Sequence, residues 1–159
     1  MLALCMLVSL YANAQEVYID GIRYQLDSEA LTAAVAGAPF SFGGDLTIPE
    51  KINYNEKEYS VTSIGEHAFE DCSLTSINIP SSVTSIGKGA FGCGSSLTSI
   101  TVDESNSVYD SRDKCNAIIE TSSNTLIVGC PKTIIPNIVT SLGDYAFYNC
   151  SSMTSISIP

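Results

Sequence analysis

The chain has 159 residues and sets 7 Lys and Arg against 17 Asp and Glu, for a formal charge of −10. That balance opposes phosphate backbones and anionic lipid, which sets nucleic acid aside as a partner. Apolar residues at 45% suffice for a continuous core, while charged residues at 15% fall below the usual share of about a quarter, and Ser and Thr supply the missing polarity.

Residues 1–14, MLALCMLVSLYANA, form an apolar run ending in Ala12-Asn13-Ala14, after which the chain turns polar at Gln15 and Glu16. This reads as the h-region and A-x-A cleavage site of a signal peptide, too short for a membrane span. Its basic n-region is missing, so a start further upstream stays open. A lipid anchor at Cys5 is disfavoured, because Leu2-Ala3-Leu4 makes a poor lipobox. Removing 14 of the 159 residues leaves 145, the size of one domain.

Residues 15–43 read as an N-terminal β cap. Val17-Tyr18-Ile19 and Ile22-Arg23-Tyr24 flank Asp20-Gly21, a two-residue hairpin signal. Residues 31–36 add a third strand, with a short helix as the alternative for its alanine run. Leu46-Thr47-Ile48-Pro49 then matches the strand of a first repeat, and residues 52–54 and 58–61 read as paired strands around 55–57.

From residue 61 the chain repeats itself. VTSIGEHAFEDC at 61–72 returns as VTSIGKGAFGCG from Val83 and as VTSLGDYAFYNC from Val139, each time leading into LTSI or MTSI. A period in the low twenties predicts a leucine-rich-repeat solenoid over residues 44–159. Val61, Ile64, Ala68, Phe69, Leu74, Ile77 and Ile79 fall in register with Val139, Leu142, Ala146, Phe147, Met153, Ile156 and Ile158, and these columns are the expected core. Gly65, Gly87 and Gly143 share a column where each coil turns with positive φ or packs closely on its neighbour. Pro49, Pro80, Pro136 and Pro159 close the strands, since a residue without an N–H ends a ladder.

Val139 lies 56 residues beyond Val83, too far for two plain repeats. The excess falls in residues 102–133, where 116–120 and 125–129 are β-branched runs around Thr121-Ser122-Ser123-Asn124, a second hairpin insertion. The array stops at Pro159 without the closing cap that a soluble solenoid requires, so truncation is expected ahead of end-to-end assembly.

The pattern LTSIxIPxSVTSIGxxAFxxC resembles the BspA-like, or Treponema pallidum type, leucine-rich repeats of bacterial surface proteins. The resemblance spans roughly residues 44–159 and implies a β-rich solenoid, a cell-surface or secreted location and adhesin-like binding. Periodicity alone implies only architecture.

Candidate chemistry is sparse. With Cys5 removed, five cysteines remain, and an odd number forbids complete internal pairing. Cys72 and Cys150 share a repeat column while Cys93 is shifted by one, and thiols there read as small buried hydrophobes. Pairing Thr121 with Asn124 would set Cys115 opposite Cys130, close enough for a disulfide, with two neighbouring core thiols as the alternative. His67, the single histidine, lies in a variable column with Gly89 and Tyr145 and reads as a surface residue, because no nucleophile or orienting acid accompanies it. No zinc spacing and no hydrolase or nucleotide-binding motif occurs. Asp103, Glu104, Asp110 and Asp113 lack the alternating oxygen ligands of a calcium loop and read as a solvated, Asx-rich turn. No cofactor is implied.

The remaining candidate surface is the repeat sheet. With Leu74, Ile77 and Ile79 inward, Ser76 and Asn78 turn outward, and their equivalents are Ser99 and Thr101, then Ser155 and Ser157. A flat ladder of hydroxyls and amides suits an extended protein or glycan, although it lacks aromatic anchors; the competing reading is a solvated sheet. The sequence thus describes an exported, non-catalytic module that binds an extracellular protein or glycan and stays out of the membrane once its signal is removed. Its rival is a spacer or stalk that displays another domain. An enzyme ranks third.

Overall fold

The structure, a computed structural model, describes residues 14–92 and 96–159. All of the signal segment 1–14 but Ala14, and Cys93, lie outside the described residues. Almost every element is a strand, and one 3-10 turn, Arg112–Lys114, interrupts them. The β-branched and apolar alternation recorded in each repeat is what a half-buried pleated strand requires.

The chain opens with β1 (Ala14–Ile19) and β2 (Ile22–Asp27), antiparallel from Ala14↔Asp27 to Ile19↔Ile22. Their turn residues Asp20 and Gly21 have φ of 51° and 79°, the twin positive angles that match the right-handed twist of a two-residue hairpin. β3 (Thr32–Gly37) pairs antiparallel with β2, so the alanine run is strand and not helix. On its other edge β3 runs parallel to β6 (Lys57–Ile64), and β6 runs parallel to β8 (Ser85–Ile86). The parallel rungs therefore begin at Thr32, inside the segment 15–43.

A second parallel ladder stacks β4 (Gly43–Thr47), β7 (Ser73–Ile79) and β9 (Ser99–Val102). Its register sets Leu46, Ile77 and Ile100 in one column and Thr47, Asn78 and Thr101 in another. Each coil thus passes from a TSI rung through a tight turn to a second rung and a proline. Side chains from both ladders meet between them: Val61, Ile64, Ala68, Phe69, Leu74, Ile77 and Ile79 are buried, as are Val83, Ala90, Phe91, Leu97 and Ile100 of the next coil. The phenylalanines stack along the array, Phe42 to Phe69 at 6.1 Å and Phe69 to Phe91 at 5.4 Å with their rings 1° from parallel.

The glycine column works by close approach. A Cβ on Gly87 would lie 2.4 Å from the Glu66 nitrogen, where no side chain fits. The positive φ angles fall two residues later, at His67, Gly89 and Tyr145, and again at Asp71 and Asn149.

The segment 51–64 folds back as β5 (Lys51–Tyr54) against β6, with Tyr54 opposite Lys57, so the reversal needs only Asn55 and Glu56 and Lys57 belongs to the strand. Within 102–133, β10 (Tyr109–Asp110), β11 (Ala117–Glu120) and β12 (Thr125–Gly129) form an antiparallel set, and β12 runs parallel to β13 (Ser141–Leu142). Asn106 fastens this segment to the preceding coil. Its buried amide donates to the carbonyls of Pro80 at 2.8 Å and Val83 at 2.9 Å, while its oxygen accepts from the Val108 and Tyr109 amides. The Tyr109 hydroxyl accepts from the Ile86 amide at 3.0 Å.

The third copy departs from the expected core. Ala146 is buried and Val139 and Phe147 are half-buried, but Leu142, Ile156 and Ile158 are exposed, because no rung stacks over them among the described residues.

Candidate functional site

The outward face of the β4–β7–β9 ladder carries the residues singled out from sequence. Ser76 stands beside Ser99, and Asn78 beside Thr101, in adjacent rungs. Asn78 and Thr101 are exposed, while the two serines are half-buried. Ser155 and Ser157 do not join them. They are exposed and lie in a segment without strand pairing, so the proposed column ends at the third rung among the described residues.

The ladder is largely satisfied by its own neighbours. Ser76 Oγ and Thr75 Oγ1 donate to Asp45 Oδ1 at 2.7 and 2.8 Å, and Thr101 Oγ1 donates to Asn78 Oδ1 at 3.1 Å. These two hydroxyls, Ser76 first, hold the exposed Asp45 carboxyl below the usual carboxylate range. Asp45 was missed in the sequence because it precedes the first recognisable repeat strand. The Asn78 amide donors and the hydroxyl lone pairs remain for a ligand. Ile134 was also missed. It precedes Pro136 by the same offset as Asn78 precedes Pro80, and it is 72% exposed beside the buried Ile135.

The turn side of the coils is a second surface. His67 is exposed, with Nδ1 at 3.2 Å from Glu70 Oε2, and no nucleophile is bonded to it among the described residues. Its ring meets Tyr145 edge-on at 5.7 Å, and Tyr145 meets Tyr148 in the same manner at 5.4 Å. Lys88 Nζ binds Asp144 at 2.7 Å, and Asn149 donates to Asp71 at 3.3 Å.

Cys72, Cys115 and Cys130 are free thiols. The facing of Cys115 and Cys130 is overturned by a bulge. Ile119 does pair with Leu126, but the register then shifts between Ile118 and Ile119, so Ala117 lies opposite Gly129. Continuing that register sets Asn116 opposite Cys130, and the Cys130 thiol donates to the Asn116 carbonyl at 3.6 Å. The one-residue slip turns the two thiols into different core clusters. Burial pushes the Cys72, Cys115 and Cys130 thiols up, away from the reactive thiolate.

Two of the acidic groups in 103–113 are engaged locally. Asp103 Oδ1 accepts from the Ser105 amide at 2.8 Å in an Asx turn, and Asp110 forms an ion pair with Arg112, which also reaches Asn124 at 3.2 Å. Among the described residues no group of three His, Cys, Asp or Glu is placed to hold a metal, and no helix is long and apolar enough to cross a membrane.

Comparison with known proteins matches residues 49–120 and 129–159 to the BspA type leucine rich repeat region, in 6 copies. A leucine-rich-repeat protein from Bacteroides ovatus is 29% identical over 91% of the chain, with a TM-score of 0.58. One from Bacteroides capillosus is 23% identical over 91% of the chain, with a TM-score of 0.53. A leucine rich cell surface protein from Faecalibacterium prausnitzii is 28% identical over 57% of the chain, with a TM-score of 0.48. The chain spans 24% of the Faecalibacterium structure, 98% of that from B. capillosus and 42% of that from B. ovatus. No curated protein matches it.

Proposed function

Because this chain belongs to the BspA-type leucine-rich-repeat family, we propose that it is an exported, non-catalytic binding module that recognises an extracellular protein or glycan, in the manner of an adhesin. The observation that carries this reading is the parallel register of β4, β7 and β9, which repeats an outward polar column at Thr47, Asn78 and Thr101. An extended partner would lie across such rungs and meet equivalent groups at each. The signal-like segment 1–14 supports export, and β1 to β3, antiparallel at one end of the parallel rungs, supports a capping role for residues 15–43. The antiparallel β5–β6 and β11–β12 pairs would serve as further contact surfaces.

One observation favours the rival reading of a spacer. The ladder hydroxyls of Ser76 and Thr101 are already donated to Asp45 and Asn78, which lowers what a ligand gains there. A binding screen of the module against extracellular matrix proteins and glycans separates the two. Under the binding reading, Asn78→Lys with Thr101→Lys leaves the far-UV spectrum unchanged and abolishes capture of the partner. Unchanged affinity would remove the ladder as the site, and an empty screen would favour the spacer.

A further inference from the structure

His67, Gly89 and Tyr145 hold the same place in three turns of the repeat, with the coil of residues 124–129 between the second and the third, and all three have positive φ, at 54°, 62° and 64°. The left-handed region favours glycine and costs other residues roughly 1 kcal/mol or more. The middle turn follows that preference with Gly89. The turns at 67 and 145 instead hold large rings, and Gly89 leaves room for those rings to meet. A Cβ there would lie 2.8 Å from His67 Cε1; without it the imidazole crosses the middle turn and stands edge-on to Tyr145. Tyr148 extends the series, and Tyr145 and Tyr148 are 51% and 44% exposed. The result is a continuous aromatic ridge built across non-adjacent repeats.

Its border is acidic. The same turns carry Glu66, Glu70, Asp71 and Asp144, against Lys88, which is bound to Asp144. The ridge therefore combines ring faces, which attract cations through their quadrupole, with carboxylates in a chain of formal charge −10. It also supplies the aromatic anchors that the ladder lacks.

We propose that the His67–Tyr145–Tyr148 ridge is a docking surface for a cationic segment of a partner protein, with an arginine or lysine side chain laid on the tyrosine faces and its charge met by Glu66, Glu70 and Asp71. The proposal rests on the extracellular binding reading for its setting, but it uses a different face of the solenoid. Recognition would combine cation–π attraction with charge-assisted hydrogen bonds, so arginine would be favoured over lysine for its planar fork.

The test is fluorescence anisotropy of the full chain with a labelled Arg-Gly repeat peptide, and with the same peptide carrying citrulline, which keeps the shape and removes the charge. Two ridge variants are paired with two controls: Tyr145→Gly, which suits the backbone there, and Tyr148→Ser, against Asn78→Ala/Thr101→Ala on the ladder and Glu104→Gln/Asp113→Asn in the 102–133 segment. The expected result is binding of the arginine peptide alone, weakened at least tenfold by each ridge variant and less than threefold by either control. Equal weakening by the Glu104/Asp113 control would reduce the effect to bulk charge and overturn the proposal. Loss of binding in the ladder variant with the ridge variants unaffected would also overturn it while sustaining the ladder reading. Absence of peptide binding, equal binding of the citrulline peptide, or ridge-dependent capture of a neutral polysaccharide in its place would each refute it. Should Tyr145→Gly unfold the chain, chemical-shift changes of the Tyr145 and Tyr148 ring protons on titration of the native chain decide the question.

Discussion

Replacing Phe69 with alanine removes the middle ring of a three-ring stack. Phe69 is 1% exposed and lies 6.1 Å from Phe42 and 5.4 Å from Phe91, in three successive coils. A phenylalanine buries roughly 150 to 250 Å2, which at about 25 cal/mol per Å2 corresponds to about 4 to 6 kcal/mol. Alanine keeps the Cβ, and neighbouring coils held in hydrogen-bonded register close only part of the void. The expected loss is therefore about 3 to 5 kcal/mol, within the range for buried aromatic truncations. Because each coil contacts chiefly its neighbours, the damage falls on two interfaces at once. Urea titration followed by circular dichroism measures the change, with the slope held constant so that the midpoint shift reports stability. Phe147→Ala is the internal comparison: Phe147 is half-buried, and its loss should cost distinctly less. A loss below about 1 kcal/mol at Phe69, or an equal loss at both sites, would refute the stacked-coil account.

Asn106→Ala strips a buried residue of its bonds to Pro80, Val83, Val108 and Tyr109 and should cost about 2 to 4 kcal/mol by thermal or urea unfolding; Asn106→Asp should be worse at neutral pH. In that variant burial and the facing carbonyls raise the folded-state carboxyl above its unfolded value of about 3.9, so stability returns below that pH and is lost as pH rises, and a flat pH profile would contradict the clamp. Asp45 carries the opposite sign. Its carboxyl is held low by Ser76 and Thr75, so its contribution is present above the unfolded carboxylate pKa and lost as pH falls through the folded one, and Ser76→Ala should move its NMR titration upward. Export should yield a mature protein starting at Gln15 by intact mass, and retention of Met1 in the secreted form would exclude the signal assignment.

The columns Val61, Ile64, Ala68 and Phe69 were legible because a repeat states its buried positions several times over, and each reading constrains the others. The exposure of Leu142 and Ile158 was not, since a column position is core only where a further rung covers it. The Cys115 and Cys130 facing failed on a single bulge: strand alternation has a period of two, so one extra residue reverses every side chain beyond it. Nothing in the run AIIE announces that irregularity. Asn106 sits in a polar stretch that reads as an exposed turn, and its burial depends on the Pro80 carbonyl of another coil. The column His67, Gly89, Tyr145 could be aligned from sequence. Its ring contacts could not, because they depend on how far a side chain reaches across a turn that has none.

The two parallel ladders run their hydrogen bonds from coil to coil, along the direction in which rungs stack. A pull between the first and last coils would therefore load the rungs in series, opening them as a zipper, whereas a pull along a single strand would shear many bonds at once. Were the module anchored and pulled in that direction, it would be expected to lengthen in steps of one coil. The segment 102–120 is tied back onto Pro80, Val83 and Ile86 by Asn106 and Tyr109 side chains that span coils, so it would give way later than a plain rung and divide the extension into stages.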